Sequence, residues 1–260
     1  MRGLTLLLGL LVSLGAWSAE PSADPFGGDP FKSFQWPELK REFLGAKAKV
    51  QFDERVKVQG PPFAEDAMNV PITVMADLPG VQRVVVLVDR NPIRKVLEFQ
   101  PLASRASVSF RFKLEQASPV RAMALTADGV WHVGGTLVDS AGGGCTVPGG
   151  TRADGSWTQT LGQVSGRLYA SSIPGTDNAA RLRLRIMHPM DTGLVGGIPA
   201  FFISKLAVRD GRGKDLLRIQ TFEPVSENPV FSFDFAQSPV PPLRIVGVDN
   251  NGNRIDSQVE

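Results

Sequence analysis

Apolar and polar residues alternate along most of the chain. Val70, Ile72, Val74 and Ala76 take every second place, and so do Val108, Phe110, Phe112 and Leu114 in SVSFRFKL. Leu182, Leu184 and Ile186 alternate with three arginines in RLRLRI, and Phe231, Phe233 and Phe235 alternate in FSFDF. A period of two marks a strand with one buried face. The run VVVLV at 84–88 has no polar break, as in a strand covered on both sides. VRAMALTADGVWHVGGTLV reads as a hairpin turning at Asp128-Gly129, and FFISKLAVRDGRGKDLLRIQTF as a second, turning between Asp210 and Gly213.

One stretch follows a helical period instead. In WPELKREFLGAKA, Pro37 suits the first turn, Leu39 and Phe43 share a face, and Gly45 offers a stop. The residues before it, 20–36, repeat Asp-Pro-Phe at 24–26 and 29–31 and read as a loose lead-in. Periodicity fails between 140 and 162, where Gly, Thr, Ser and Pro dominate. A structureless stretch of that length is a linker or a functional loop. The pattern predicts an all-β protein: two antiparallel sandwiches, 20–139 with the short helix and 163–260, joined by a Gly-rich segment at 140–162.

The first residues change the compartment. Arg2, an apolar run from Leu4 to Ala16, and small residues at Ser18 and Ala19 have the layout of a secretory signal peptide over 1–19. The apolar run is too short to span a membrane comfortably. The expectation is an exported, periplasmic protein. Its formal charge of +2 shows no basic stripe that would argue for nucleic acid.

Export makes the cysteine content unusual. Exported proteins use cysteine in pairs, yet Cys145 stands alone in DSAGGGCTVPGG. Gly142, Gly143 and Gly144 precede it, and Gly149 and Gly150 follow. Those neighbours offer no apolar pocket, so the expectation is an exposed thiol on a flexible arm. Six extended residues from Asp139 would carry it roughly 20 Å. The nearest basic residue in sequence is Arg152, so no local activation of the thiol is visible. That favours bearing a group over catalysing a reaction.

Other chemistries fail on inventory. Cys145, His132, His188 and Met190 could in principle hold copper, but neither His nor Met follows the cysteine at the usual spacing. His188, before Pro189, reads as a structural hydrogen-bonder, and His132 as a strand residue. No G-x-S-x-G elbow, phosphate loop, Cys-x-x-Cys or metal-ligand spacing is present. No cofactor is expected, and the chain does not read as an enzyme.

The motifs in order carry a resemblance. NVPITV, VVVLVDRNP, VSFRFKL, VRAMALTADGVW and GGGCT resemble SoxY, the sulfur-carrier subunit of bacterial thiosulfate oxidation. MHPMDTG, IPAFFISKL, NPVFSFDF and VDNNGN resemble SoxZ, its partner subunit. The chain is similar to single-chain SoxYZ-like carriers found beside periplasmic quinoprotein dehydrogenases. The resemblance implies two immunoglobulin-like sandwiches packed together and a sulfur intermediate carried covalently on Cys145. It implies sulfur-handling or quinoprotein dehydrogenase enzymes as partners, and an exposed thiol could also form disulfide-linked dimers. In separate SoxY the cysteine lies between glycine pairs at a free C-terminus. Here Thr146 and Val147 follow it, so the arm is a tethered loop. The alternative is a docking module for a periplasmic quinoprotein dehydrogenase in which Cys145 is incidental.

Overall fold

The computed structural model describes residues 24–153, 155–172 and 176–260; the leader read at 1–19 lies outside these. A short helix α1 (Trp36–Leu39) runs on into a π-helical turn (Lys40–Leu44) and stops at Gly45. The strands of the first half are β1 (Lys49–Phe52), β2 (Val56–Gln59), β3 (Phe63–Ala64), β4 (Val70–Ala76), β5 (Val81–Val88), β6 (Lys95–Gln100), β7 (Ser107–Phe112), β8 (Ser118–Thr126) and β9 (Val130–Ser140). A helical turn α2 (Trp157–Thr160) leads to β10 (Val164–Ala170), β11 (Ala180–Ile186), β12 (Ile203–Arg209), β13 (Asp215–Thr221), β14 (Val230–Phe235), β15 (Leu243–Asp249) and β16 (Arg254–Val259). The alternating runs became strands with one buried face, and both hairpins, β8–β9 and β12–β13, form where their turn residues predict.

Two immunoglobulin-like domains are present, and they share their sheets. The larger sheet runs β1-β9-β8-β5-β6-β13-β12-β15-β16, with β3 beside β9. The smaller runs β10-β11-β14-β7-β4-β2. Each sheet crosses from one half to the other. Antiparallel pairing of β6 with β13 matches Phe99 to Ile219, and that of β7 with β14 matches Val108 to Phe233. A strand at the edge of a sandwich leaves a row of backbone groups unpaired. These four edges satisfy one another, so the halves join edge to edge. The apolar core is continuous across the join, and the rings of Phe99 and Phe233 lie 5.8 Å apart within it.

The continuous run VVVLV has its second cover. On the outside of the larger sheet, Trp36 and Leu39 pack on Val85, Leu87, Met123, Trp131 and Val133. From Asp24 onward, where the lead-in is described, it is not loose. Asp29 accepts two hydrogen bonds from the Arg121 guanidinium, at 2.6 and 2.7 Å, and Asp89 accepts two more at 2.8 Å. All three side chains are fully buried, and the rings of Phe31 and Trp36 cover the guanidinium at 5.0 and 4.6 Å. Burial alone would raise the Asp29 carboxyl and depress Arg121; the ion pairing outweighs it and moves both the other way.

Candidate functional site

The segment from 141 to 152 is laid against the seam between the two domains. After β9 the chain turns through Gly142 and Gly143, whose φ angles of 95° and 84° are left-handed and suit glycine. Backbone N–H groups of Gly143 and Gly144 then donate to the carbonyls of Glu115 and Leu114. A Cβ on Gly144 would stand 2.2 Å from the Ala67 carbonyl oxygen and 2.6 Å from that of Leu114. This glycine serves close approach, a use of the residue type that the composition of the loop did not separate from flexibility.

Cys145 is fully buried, against the expectation of an exposed thiol. The Glu115 carboxylate accepts from the Cys145 N–H at 2.9 Å and from the Thr146 hydroxyl at 3.0 Å. From the other domain, the Thr192 hydroxyl donates to the Cys145 carbonyl at 2.7 Å. The thiol lies 3.6 Å from the Lys113 carbonyl oxygen. Burial, and then the charge of Glu115, push the thiol up to about 12, while Lys113 pulls the other way. In this position the sulfur is a protonated, unreactive group.

Lys113 is itself buried, with its ammonium bonded to the Met190 carbonyl at 2.5 Å. Burial lowers its pKa, against the opposing pull of Asp191, Cys145 and Glu227. Beyond the cysteine the loop is held by the second domain. Glu227 accepts from the Thr151 N–H, Asn228 donates to the Thr151 hydroxyl oxygen, and Arg152 pairs with Asp191 at 2.7 Å. The Arg152 guanidinium also lies over the Trp157 ring. Gly149 and Gly150 pass beside the Glu227 carboxylate, and a Cβ on Gly149 would reach 2.5 Å from it. The loop is therefore pinned on both sides of the thiol.

The MHPMDTG segment builds the second domain's side of the seam. His188 is buried against Phe201, with ring centroids 4.4 Å apart, and its Nδ1 accepts the Met190 N–H at 3.0 Å. That leaves Nε2 carrying the proton, 3.5 Å from Asp249. Met190 sits at φ 51°, a turn that aims its carbonyl at Lys113. Asp191 and Thr192 then meet Arg152 and Cys145. His132 belongs elsewhere: on β9 it meets Asp53 at 2.7 Å and Gln51 at 2.9 Å. Eight strand residues separate it from the end of β9, about 25 Å. Among the described residues no group of three or more His, Cys, Asp or Glu is placed to hold a metal.

Burial pushes His188 down to about 4, against the opposing pull of Asp249. A histidine depressed below its unfolded value near 6.5 contributes stability that is complete above that pH and lost as pH falls through about 4. Wild type and His188→Gln are therefore expected to converge in unfolding free energy by roughly 2–3 kcal/mol between pH 7 and pH 4. Denaturant melts of both across that range measure it; a gap that does not change with pH would contradict a buried neutral ring.

The family comparisons follow the same seam. The model for sulfur oxidation protein SoxY matches residues 40–145. The model for sulphur oxidation protein SoxZ matches residues 172–260. The chain carries a SoxY domain followed by a SoxZ domain. The SoxY match ends on Cys145, and the SoxZ match holds Met190 to Thr192 and Glu227. Among solved structures, the chain is similar to the sulfur carrier protein SoxY of Chlorobium limicola f thiosulfatophilum. Identity is 19%, over 40% of this chain and 90% of that one, with a TM-score of 0.37. A putative superoxide reductase from Thermotoga maritima overlays at 13% identity and TM-score 0.31, over 36% and 93% of the two chains. The superoxide reductase (neelaredoxin) of Ignicoccus hospitalis overlays at 11% and 0.30, over 40% and 91%. No curated protein matches the chain.

Lys113, Glu115 and Thr192 were not singled out by the sequence. Lys113 and Glu115 follow directly on an alternating strand, where charged residues read as solvent-facing. Thr192 lies inside a quoted motif, but nothing local connects it to a cysteine 47 residues away.

Proposed function

We propose that this SoxY–SoxZ chain is a carrier in sulfur oxidation, not itself a catalyst, that bears a sulfur-containing intermediate on Cys145 and presents it to partner enzymes. The leader-like sequence at 1–19 supports a periplasmic location for this carrier. The partners in this reading are sulfur-handling or quinoprotein dehydrogenase enzymes. It needs no cofactor of its own. The observation that carries this reading is the position of Cys145: the last residue of the SoxY match, seated where the two domains meet, and held by one polar side chain from each.

The contacts that hold it are few and exchangeable with water. Hydrogen bonds of this kind contribute about 0.5–3 kcal/mol each, more when a carboxylate accepts. The seated thiol is thus a stored form, and delivery requires the loop to lift from Glu115 and Thr192. Disulfide-linked dimers would form only from the lifted form.

The burial of Cys145 also favours a second reading, a docking module in which the thiol is inert. Intact mass spectrometry on protein from its own host separates the two. The carrier reading expects a reducible mass increment on the peptide holding Cys145, and Cys145→Ser loses the increment and the growth phenotype together. Unmodified native protein, with full growth of the Cys145→Ser strain, would establish the docking module instead.

A further inference from the structure

The outer face of the smaller sheet is strongly cationic. Lys57 on β2, Arg111 on β7, Arg167 on β10, and Arg181, Arg183 and Arg185 on β11 all stand exposed on it. The one carboxylate in these strands is Asp234 on β14, and Arg181 takes it at 2.7 Å. Arg111, Arg183 and Arg185 have no ion-pair partner among the described residues. Arg167 lies directly opposite Arg183 in the β10–β11 register. Like charges set opposite each other on one face of a sheet cost stability. Four separate strands assemble this patch, on a chain whose formal charge is only +2.

Its position relates it to the thiol. β7 and β11 are both antiparallel to β14, so they run the same way and end at the same edge. Beyond that edge β7 continues into Lys113 and Glu115, and β11 into the His188–Thr192 segment, the two sides of the Cys145 seat. Arg111 and Arg185 are the last outward-facing residues of their strands. Between the arginines lie Ser109, Ser232 and Thr73, and a shallow groove of about 420 Å³ is lined by Arg111, Arg183 and Ser232.

We propose that this face is the landing surface for an acidic protein surface on the enzymes that load and unload the carrier. Naming the partner as such an enzyme rests on the carrier reading; the docking itself does not. Five of the six cations are arginine, whose planar fork pairs carboxylates bidentately. Unpaired surface charge steers encounter and raises on-rate without tight binding, which suits a protein that must leave each partner. A lipid surface would want apolar or aromatic side chains to insert, and in the strands of this face the sole exposed aromatic is Tyr169. A partner centred on the arginines would have its own edge over the Cys145 loop.

The test uses the full chain with two probes, an oligo-aspartate peptide and phosphatidylglycerol vesicles. Arg183→Glu with Arg185→Glu is compared with a charge-matched control, Arg41→Glu with Lys47→Glu, both exposed on the other sheet's side. The expected result is peptide binding that falls steeply with salt and that the face variant weakens by about tenfold or more, against less than about twofold for the control. The thermal midpoint of the face variant stays level or rises, because Arg167 would then face a carboxylate across the β10–β11 pair instead of a like charge. The neutral pair Arg111→Gln with Arg183→Gln moves binding the same way by a smaller factor. Equal weakening by face and control variants would overturn the proposal, as would tighter binding to vesicles than to peptide, which would make the partner a membrane. Cys145→Ser binds the peptide as wild type does. A growth phenotype lost with the arginines but kept with Cys145→Ser would retain the docking and remove the carrier.

Discussion

In Gly144→Ala, Cys145 reacts with thiol reagents on the order of a hundredfold faster than in the wild type at pH 8, while the fold stays intact. The added methyl would lie 2.2 Å from the Ala67 carbonyl oxygen and 2.6 and 2.7 Å from the Leu114 carbonyl oxygen and nitrogen. All three contacts are backbone atoms, and Ala67 and Leu114 are hydrogen-bonded to each other, so nothing flexible can give way and the loop must leave its seat. Leaving it forfeits the bonds from Cys145 and Thr146 to Glu115 and from Thr192 to Cys145. Charge-assisted hydrogen bonds contribute about 1.5–3 kcal/mol, and roughly 2.7 kcal/mol of lost seating gives the hundredfold. The pH dependence moves with it. The seated thiol titrates near 12, whereas a free one titrates near about 8.5. Seating is therefore fully stable below the free value and weakens as pH rises from there toward 12. Thiolate absorbance, taken as the difference from Cys145→Ser, stays flat in the wild type to about pH 10 and rises around pH 8.5 in Gly144→Ala. Equal reactivity of the two proteins would mean that the seat is not what protects the sulfur.

Arg121→Met lowers unfolding free energy by about 3–5 kcal/mol and the thermal midpoint by about 10 °C. The guanidinium makes four hydrogen bonds to two buried carboxylates, and the whole cluster is closed to solvent. Removing the cation leaves Asp29 and Asp89 facing each other in an apolar enclosure capped by Phe31 and Trp36. Asp29→Asn costs less, because the amide still accepts one bond and Asp89 still balances the charge. Calorimetry on the three proteins orders them wild type, Asp29→Asn, Arg121→Met. An Arg121→Met midpoint within about 2 °C of wild type would show that the lead-in is not anchored by this pair.

Strand periodicity was legible because burial of one face is a local property: Phe231, Phe233 and Phe235 announce their inward side without reference to any neighbour. The helix at 36–44 was legible for the same reason, through Pro37, Leu39 and Gly45. Which strands lie side by side is not local. Nothing in KVLEFQ says that its free edge meets DLLRIQT from the other domain, so the common sheets were not foreseen. Asp29 looked like part of a polar lead-in because its partner, Arg121, lies 92 residues on. The seat of Cys145 was hidden by two ambiguities. Glycine permits both motion and close packing, and here packing uses it. A thiol can be enclosed by backbone and by side chains from far along the chain, so glycine and proline neighbours do not keep it exposed. Arginines in RLRLRI were visible as an outward row, but the sheet alone sets Arg167 and Arg111 beside them.

The strand pairings across the two domains separate cohesion from connectivity. β6 with β13 and β7 with β14 hold the halves together through backbone bonds and a common core, whatever becomes of the peptide between them. The peptide link through the connecting stretch is not what holds the halves together. A protease cut within it would leave a two-chain particle of unchanged shape, and an inserted or deleted residue there would strain nothing in the sheets. On the carrier reading, lifting the stretch would break its bonds to Glu115 and Thr192 and leave the strand pairs that join the halves in place.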